Sequence, residues 1–321
     1  MIRDWRALTL VLGLCGVSSA ADALLADAAE KADWSRVQAL LKEKADANAA
    51  QADGMTALHW AAHHDNSEAT KLLLAAGASA KVANRYSVTP LSLACTNGNA
   101  DLVRTLLAAG ADPNTTLRGG ETALMTAART GRAGAVQALL DAGAKVDATD
   151  RKGQTALMWA AADGHADVVE LLVKAGADFR ARLKSGFTPL LFAAREGRTG
   201  AVRALLRAGA DVNEAIQSDR KGGGYAPRNG QSALTLAVEN GHFDLGLELL
   251  KAGADPNDQR SGFTPLHALT WVRKPNRGDD PDGQPPPIGS GSLTSLQLVV
   301  QLVAHGADVN ARLEKGATGR G

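Results

Sequence analysis

Aromatic side chains are scarce, at 4% of the 321 residues. A chain with so few cannot line a deep aromatic pocket. Its 45% apolar content is mostly Ala, Leu and Val, which suits thin helices packed closely together. Cysteine is nearly missing too, with only Cys15 and Cys95. Neither sign of charge is in excess, since 35 Lys and Arg face 34 Asp and Glu. Global charge therefore predicts no nucleic-acid partner. There is no Ser-centred elbow, no phosphate-cradling Gly loop followed by Lys, and no Cys-x-x-Cys pair. We expect no catalysis, no cofactor and no metal centre.

No apolar run is long enough to span a bilayer, so no membrane span is expected. The longest one near the N-terminus, Ala7 to Val17, follows Arg3 and Arg6 and precedes Ser18-Ser19-Ala20. That order fits a secretory signal peptide over residues 1–20. The rival reading is an apolar first helix, but the repeat register begins only after Ala21. The expected location is periplasmic or secreted. Loss of Arg3, Asp4 and Arg6 would leave the chain formally neutral, with Cys95 as its one cysteine and no disulfide.

What the chain does have is self-similarity. Thr56-Ala-Leu-His, Thr89-Pro-Leu-Ser, Thr122-Ala-Leu-Met, Thr155-Ala-Leu-Met and Thr188-Pro-Leu-Leu recur in strict period. Ser232-Ala-Leu-Thr and Thr264-Pro-Leu-His continue the series after one stretched interval. A Gly recurs at Gly77, Gly110, Gly143, Gly176, Gly209, Gly253 and Gly306. In each unit the Thr is placed to cap a first helix, and Pro90, Pro189 and Pro265 stand where a missing N–H costs nothing. Small Ala residues let neighbouring helices approach closely. A second helix carries apolar pairs such as Leu73-Leu74 and Leu139-Leu140, and the recurrent Gly ends it in the left-handed conformation.

On this period and this signature, the sequence resembles the ankyrin-repeat family from about Asp22 to Arg312. The resemblance implies an all-α solenoid of about eight helix-turn-helix units, each followed by an extended finger. The units fall near 22–54, 55–87, 88–120, 121–153, 154–186, 187–230, 231–262 and 263–313. The first lacks the Thr and has Lys44 in place of the Gly, and its polar second helix suits a capping repeat. Insertions widen the sixth unit near 217–228 and the eighth near 272–292. Either can be a functional loop or a tolerated one. Residues 314–321 read as the start of an incomplete ninth repeat or as a disordered tail. The Ala, Gly and Arg bias suggests a bacterial source.

Other signals are weaker. His59 and His63 lie one helical turn apart, a geometry that can share a metal, but no third ligand is fixed by spacing. Asp279, Asp280 and Asp282 fit no full calcium loop. Cys95 takes the place of a buried Ala, and Asn114-Thr115-Thr116 matches a glycosylation acceptor.

Family resemblance also implies where a partner is held: at the finger tips and on the concave side of the first helices. Four residues before each capping residue the tips read Ala52, Arg85, Arg118, Arg151, Lys184, Arg228 and Arg260, so six successive repeats place a cation there and form a basic ladder. Lys152 lies beside it, and Tyr86, Arg129, Asp163, Phe187, Arg195 and Phe263 are assigned to the same face. Trp271 opens the second insertion. Tyr, Phe, Trp and Arg together make interface anchors. The expected function is a non-catalytic scaffold that binds another protein, with an acidic surface as one possible fit. Its rivals are an accessory region serving a periplasmic enzyme, and a binder of a polyanion such as cell-wall polymer or lipid headgroups.

Overall fold

A computed structural model describes residues 23–218, 229–272 and 289–313. Residues 1–20, Arg228, most of both insertions and residues 314–321 lie outside that range, and so do the expectations attached to them. Sixteen helices are found among the described residues, in eight pairs. They are α1 (Leu24–Glu30) with α2 (Trp34–Lys42), α3 (Ala57–His63) with α4 (Ser67–Ala75), and α5 (Pro90–Asn97) with α6 (Ala100–Ala108). Next come α7 (Ala123–Arg129) with α8 (Ala133–Asp141), α9 (Ala156–Asp163) with α10 (Ala166–Lys174), and α11 (Pro189–Arg195) with α12 (Thr199–Arg207). The last are α13 (Ala233–Glu239) with α14 (Phe243–Lys251), and α15 (Pro265–Val272) with α16 (Ser295–Ala304).

One pair shows why the sequence folds this way. Thr155 is extended, and its hydroxyl accepts a hydrogen bond from the Met158 N–H at 3.3 Å. That satisfies one of the free donors at the start of α9. Ala156, Leu157, Ala160 and Ala161 are buried, so the helix presents a thin apolar face. Gly164 stops it at φ 89° and turns the chain into α10, which buries Val168, Val169 and Leu172. Each Thr that opens a first helix is itself buried between repeats, from Thr188 at 0% exposure to Thr122 at 6%. The first helices stack in an unbroken row, with α1 on α3 and so on to α13 on α15. The second helices form the other layer.

Two details bear on the sequence. Lys44 adopts φ 66°, so the left-handed turn persists where the sequence departs from Gly. At Gly230 (φ 85°) an added Cβ would run into the Arg260 carbonyl, because the next finger passes directly over it.

Neighbouring repeats are fastened by side chains that bond backbone. Asn114 donates from its amide to the Gly143 carbonyl at 3.3 Å, and its oxygen accepts from the Lys145 N–H at 2.8 Å. Asn48, Asn213 and Asn257 make the same two-way clasp at other joints. The Asn114 amide is thus a structural clasp, and the glycosylation motif is explained by the joint it serves. His59 is structural as well. Its Nδ1 accepts from the Thr56 N–H at 3.1 Å, so Nε2 carries the proton and donates to the Val88 carbonyl at 3.1 Å. Both ring nitrogens are spent, which removes His59 from the metal pair suggested by its spacing. Burial holds its imidazole below the ordinary value of 6.5. Cys95 is buried, and burial pushes its thiol up to about 12. It is a small core residue with no nucleophilic character at neutral pH.

Candidate binding surface

Among the described residues, the ladder positions are not a row of free cations. The Arg85 guanidinium donates to the Ala52 carbonyl, one finger back. Arg118 repeats the contact on the Arg85 carbonyl at 2.6 Å. Arg260 donates to the Asn213 carbonyl at 2.5 Å and pairs with Asp258 at 2.8 Å. Each of these arginines therefore staples its own finger to the one before. Burial works to raise the Asp258 carboxyl, but the hydrogen bonds and charge of Arg260 outweigh it and hold that carboxyl below its usual range. Arg151 joins through its backbone, donating N–H to the Gly119 carbonyl at 3.1 Å. Arg151, Lys152 and Lys184 are exposed.

The aromatic assignments need correcting. Phe187 is 2% exposed and Phe263 is fully buried. At these two places the residue before the capping Thr turns under the finger and into the core, so neither ring can touch a partner directly. Trp271 is half-buried and packs its ring against Phe263 at 4.8 Å. Tyr86 is the exception, 50% exposed, with the Arg118 guanidinium 5.3 Å from its ring centre.

At the ends of two first helices, arginines sit over aromatic rings. Arg129, at the end of α7, sits 5.6 Å from the ring centre of Trp159 on α9. Arg195, at the end of α11, lies 5.0 Å from Phe187 and 5.3 Å from Phe192, roofing both. Glu196 accepts from the Arg195 Nε at 2.8 Å. Stacking of this kind fixes a guanidinium in one orientation and leaves its outer edge free to donate. Asp163 is exposed, one repeat from each arginine. Trp159 adds a feature of its own. Its indole nitrogen is buried and has no hydrogen-bond partner among the described residues, whereas that of Trp60 donates to Gln51 at 2.8 Å. Sequence reasoning did not single out Trp159 or Phe192. Both stand four residues after the capping Thr, where Trp60 and Thr126 stand in other repeats.

A polar hollow lies elsewhere, lined by Asp211, Asn213, Asp255, Asn257 and Arg260. Its groups are already used. Asp211 and Asp255 each accept the N–H two residues on, at 2.9 and 2.8 Å. No cluster of three metal-ligating side chains occurs among the described residues, and no helix there is long and apolar enough to cross a membrane. The guanidinium edges and exposed tip cations can hydrogen-bond carbonyl and carboxylate groups.

Comparison with known families agrees with the architecture. The family model described as ankyrin repeats (3 copies) matches residues 25–117 and again 124–216, and the single ankyrin-repeat model matches 229–260. Ankyrin repeats generally mediate protein–protein interaction. With well over half its length matched and eight stacked helix pairs in place, this chain belongs to the ankyrin-repeat family.

Proposed function

We propose that this chain is a non-catalytic scaffold that grips a protein partner on the open side of α7, α9 and α11. The carrying observation is the pair of aromatic-held arginines, Arg129 on Trp159 and Arg195 on Phe187 and Phe192. Arginine and tryptophan dominate interface energetics when they are held rigid, because little freedom is lost on binding. The partner presents carboxylate or carbonyl groups to the guanidinium edges. Arg118 with Tyr86 extends the surface along the tips. The partner is met outside the cytoplasm, if the N-terminal segment is the export signal that its sequence suggests.

The test is a binding series. A partner captured from a periplasmic extract is identified and purified, and its affinity measured by calorimetry. Arg129→Glu with Arg195→Glu should weaken binding at least 30-fold, since a hot-spot residue contributes about 2 kcal/mol or more. Reversal of Arg151, Lys152 and Lys184 should cost less, because exposed rim charges contribute little. The reverse order would move the site to the tips. A steep fall in affinity with salt, at every variant, would instead favour a polyanion ligand.

A further inference from the structure

Large apolar side chains are seldom exposed among the described residues, and those that are concentrate at one end. Leu296 is 58% exposed, Val300 64%, Val303 44%, Val309 63% and Leu313 38%. The first three are spaced i, i+4, i+7 on α16 and form one stripe. The opposite side of the helix buries Leu298 and Leu302 completely.

The fifth repeat identifies what this stripe is for. Counting from the Gly that ends each second helix, Leu296 and Val300 occupy the places of Ala166 and Glu170. Both of those positions face the next repeat. A Cβ built on Gly200 would lie 3.2 Å from that of Ala166, and Glu170 forms an ion pair with Arg207. Val303, Val309 and Leu313 take the places of Val173, Phe179 and Leu183, which are partly buried against the core. The stripe is therefore a stacking face with nothing stacked on it among the described residues. Asn310 belongs to it. It holds the place after the turn where Asn213 and Asn257 clasp the following repeat, and it is exposed.

The composition of this face differs from that of the other second helices. α16 carries no charged residue, while α10 carries Asp167, Glu170 and Lys174 and every other second helix carries at least one charge. A two-fold contact places groups against copies of themselves, which is unfavourable for charges and harmless for apolar groups. Carboxamides such as Asn310 and Gln301 also tolerate it, because each carries both donors and an acceptor and can pair with its own image. The opposite end of the array is unlike this. α2 carries Arg36 and Lys42, so head-to-tail stacking would place charge on the apolar stripe.

We propose that α16 and the segment to Leu313 form a two-fold interface with the same face of a second copy of this chain. Exposed apolar patches of this kind mark association sites. The face is one repeat wide, at the small end of the range for specific interfaces, so the dimer should be weak and concentration-dependent.

Sedimentation velocity of the full chain over a wide concentration range tests the idea. The wild type should pass reversibly from monomer to dimer. Val300→Glu, which installs the residue that the fifth repeat carries there, should weaken dimerisation at least tenfold. Its melting profile at low concentration should match wild type, since the site is exposed. Leu296→Ala should act in the same direction, less strongly. Leu24→Ala, at the other end, should change nothing. A wild type that stays monomeric at every concentration overturns the proposal. So does a dimer indifferent to Val300→Glu, which would mean that residues 314–321 or another surface covers the face. Equal loss in Leu24→Ala would indicate head-to-tail stacking and overturn the two-fold arrangement.

Discussion

The fifth and eighth helix pairs share one plan and differ in what surrounds them. In the fifth, α10 buries Val168, Val169 and Leu172 against its own layer, and Glu170 reaches forward to Arg207. In the eighth, α16 buries only Leu298 and Leu302, and its forward face is apolar and open. A repeat in a solenoid has no independent core. Its stability is its own plus that of the joints on either side. The fifth pair has two joints and the eighth has one among the described residues, so equal chemistry in the two should have unequal consequences.

The sharpest test of that comparison is a matched truncation. Leu172→Ala and Leu302→Ala each remove a fully buried Leu, a loss worth about 2–5 kcal/mol. At the fifth pair this should destabilise both neighbours and lower the main thermal transition. At the eighth it should melt α15 and α16 alone, leaving the main transition within a few degrees of wild type. Calorimetry with circular dichroism distinguishes the two. Equal effects on the main transition would show that the array unfolds as one cooperative unit.

Hydrogen exchange sharpens the same contrast without a mutation. At low protein concentration the amides of 295–304 should exchange faster than those of 166–174 by at least an order of magnitude, because their opening breaks one joint instead of two. Raising the concentration should slow the first set only, as the proposed dimer forms. Equal protection in the dilute monomer would mean that the end is already covered.

A third prediction turns to the other end. His59 Nδ1 accepts the Thr56 N–H only while the ring is neutral, and burial has lowered its folded-state value below 6.5. The unfolded chain therefore binds the extra proton more readily, and stability rises with pH in this window. His59 contributes fully above 6.5, and its contribution falls as the pH drops toward the lower folded-state value. His59→Ser, the residue found at the same place in Ser92, should remove that dependence, because Ser92 receives the Thr89 N–H through its hydroxyl at 3.0 Å. Urea titrations at pH 7.5 and pH 5.5 would read it. A pH dependence that survives the substitution would assign it to another group.

The smallest expected effect is at Lys44, in the turn where later repeats have Gly. A side chain at φ 66° costs about 1 kcal/mol relative to Gly in that region. Lys44→Gly should stabilise the first repeat by about 0.5–1 kcal/mol, while Gly77→Ala, at φ 90°, should cost a similar amount. If both changes are neutral, these turns are too mobile to store the strain.

Much of the fold was legible because its signals are local. A Thr that caps, a Pro that follows it and a Gly that ends the second helix each act within a few residues, and their spacing repeats. Even the misplaced Lys44 was identified correctly as a Gly position. The surface was less legible. The place before each capping Thr holds Met55, Val88, Glu121, Gln154, Phe187, Gln231 and Phe263, a mixture with no polarity pattern from which to read burial. Whether Phe187 lies inside or outside depends on the finger above it. The ladder arginines were found, but their carbonyl partners stand a whole repeat earlier in sequence, and nothing local announces the bond. Arg129 on Trp159 is hidden for the same reason: the two residues meet only when consecutive repeats are stacked.

Cys95 carries a further consequence. Its thiol lies in the third repeat's first helix, sealed from solvent and held in the neutral form with a value near 12. A thiol-reactive dye cannot modify it in the native protein at neutral pH, yet it reacts at once when the helix is exposed and the thiol regains its ordinary acidity. The residue is thus a built-in clock. With Cys15 absent or replaced by Ser, the rate of labelling measures how often the middle of the array parts from its neighbours, with no probe added to the fold.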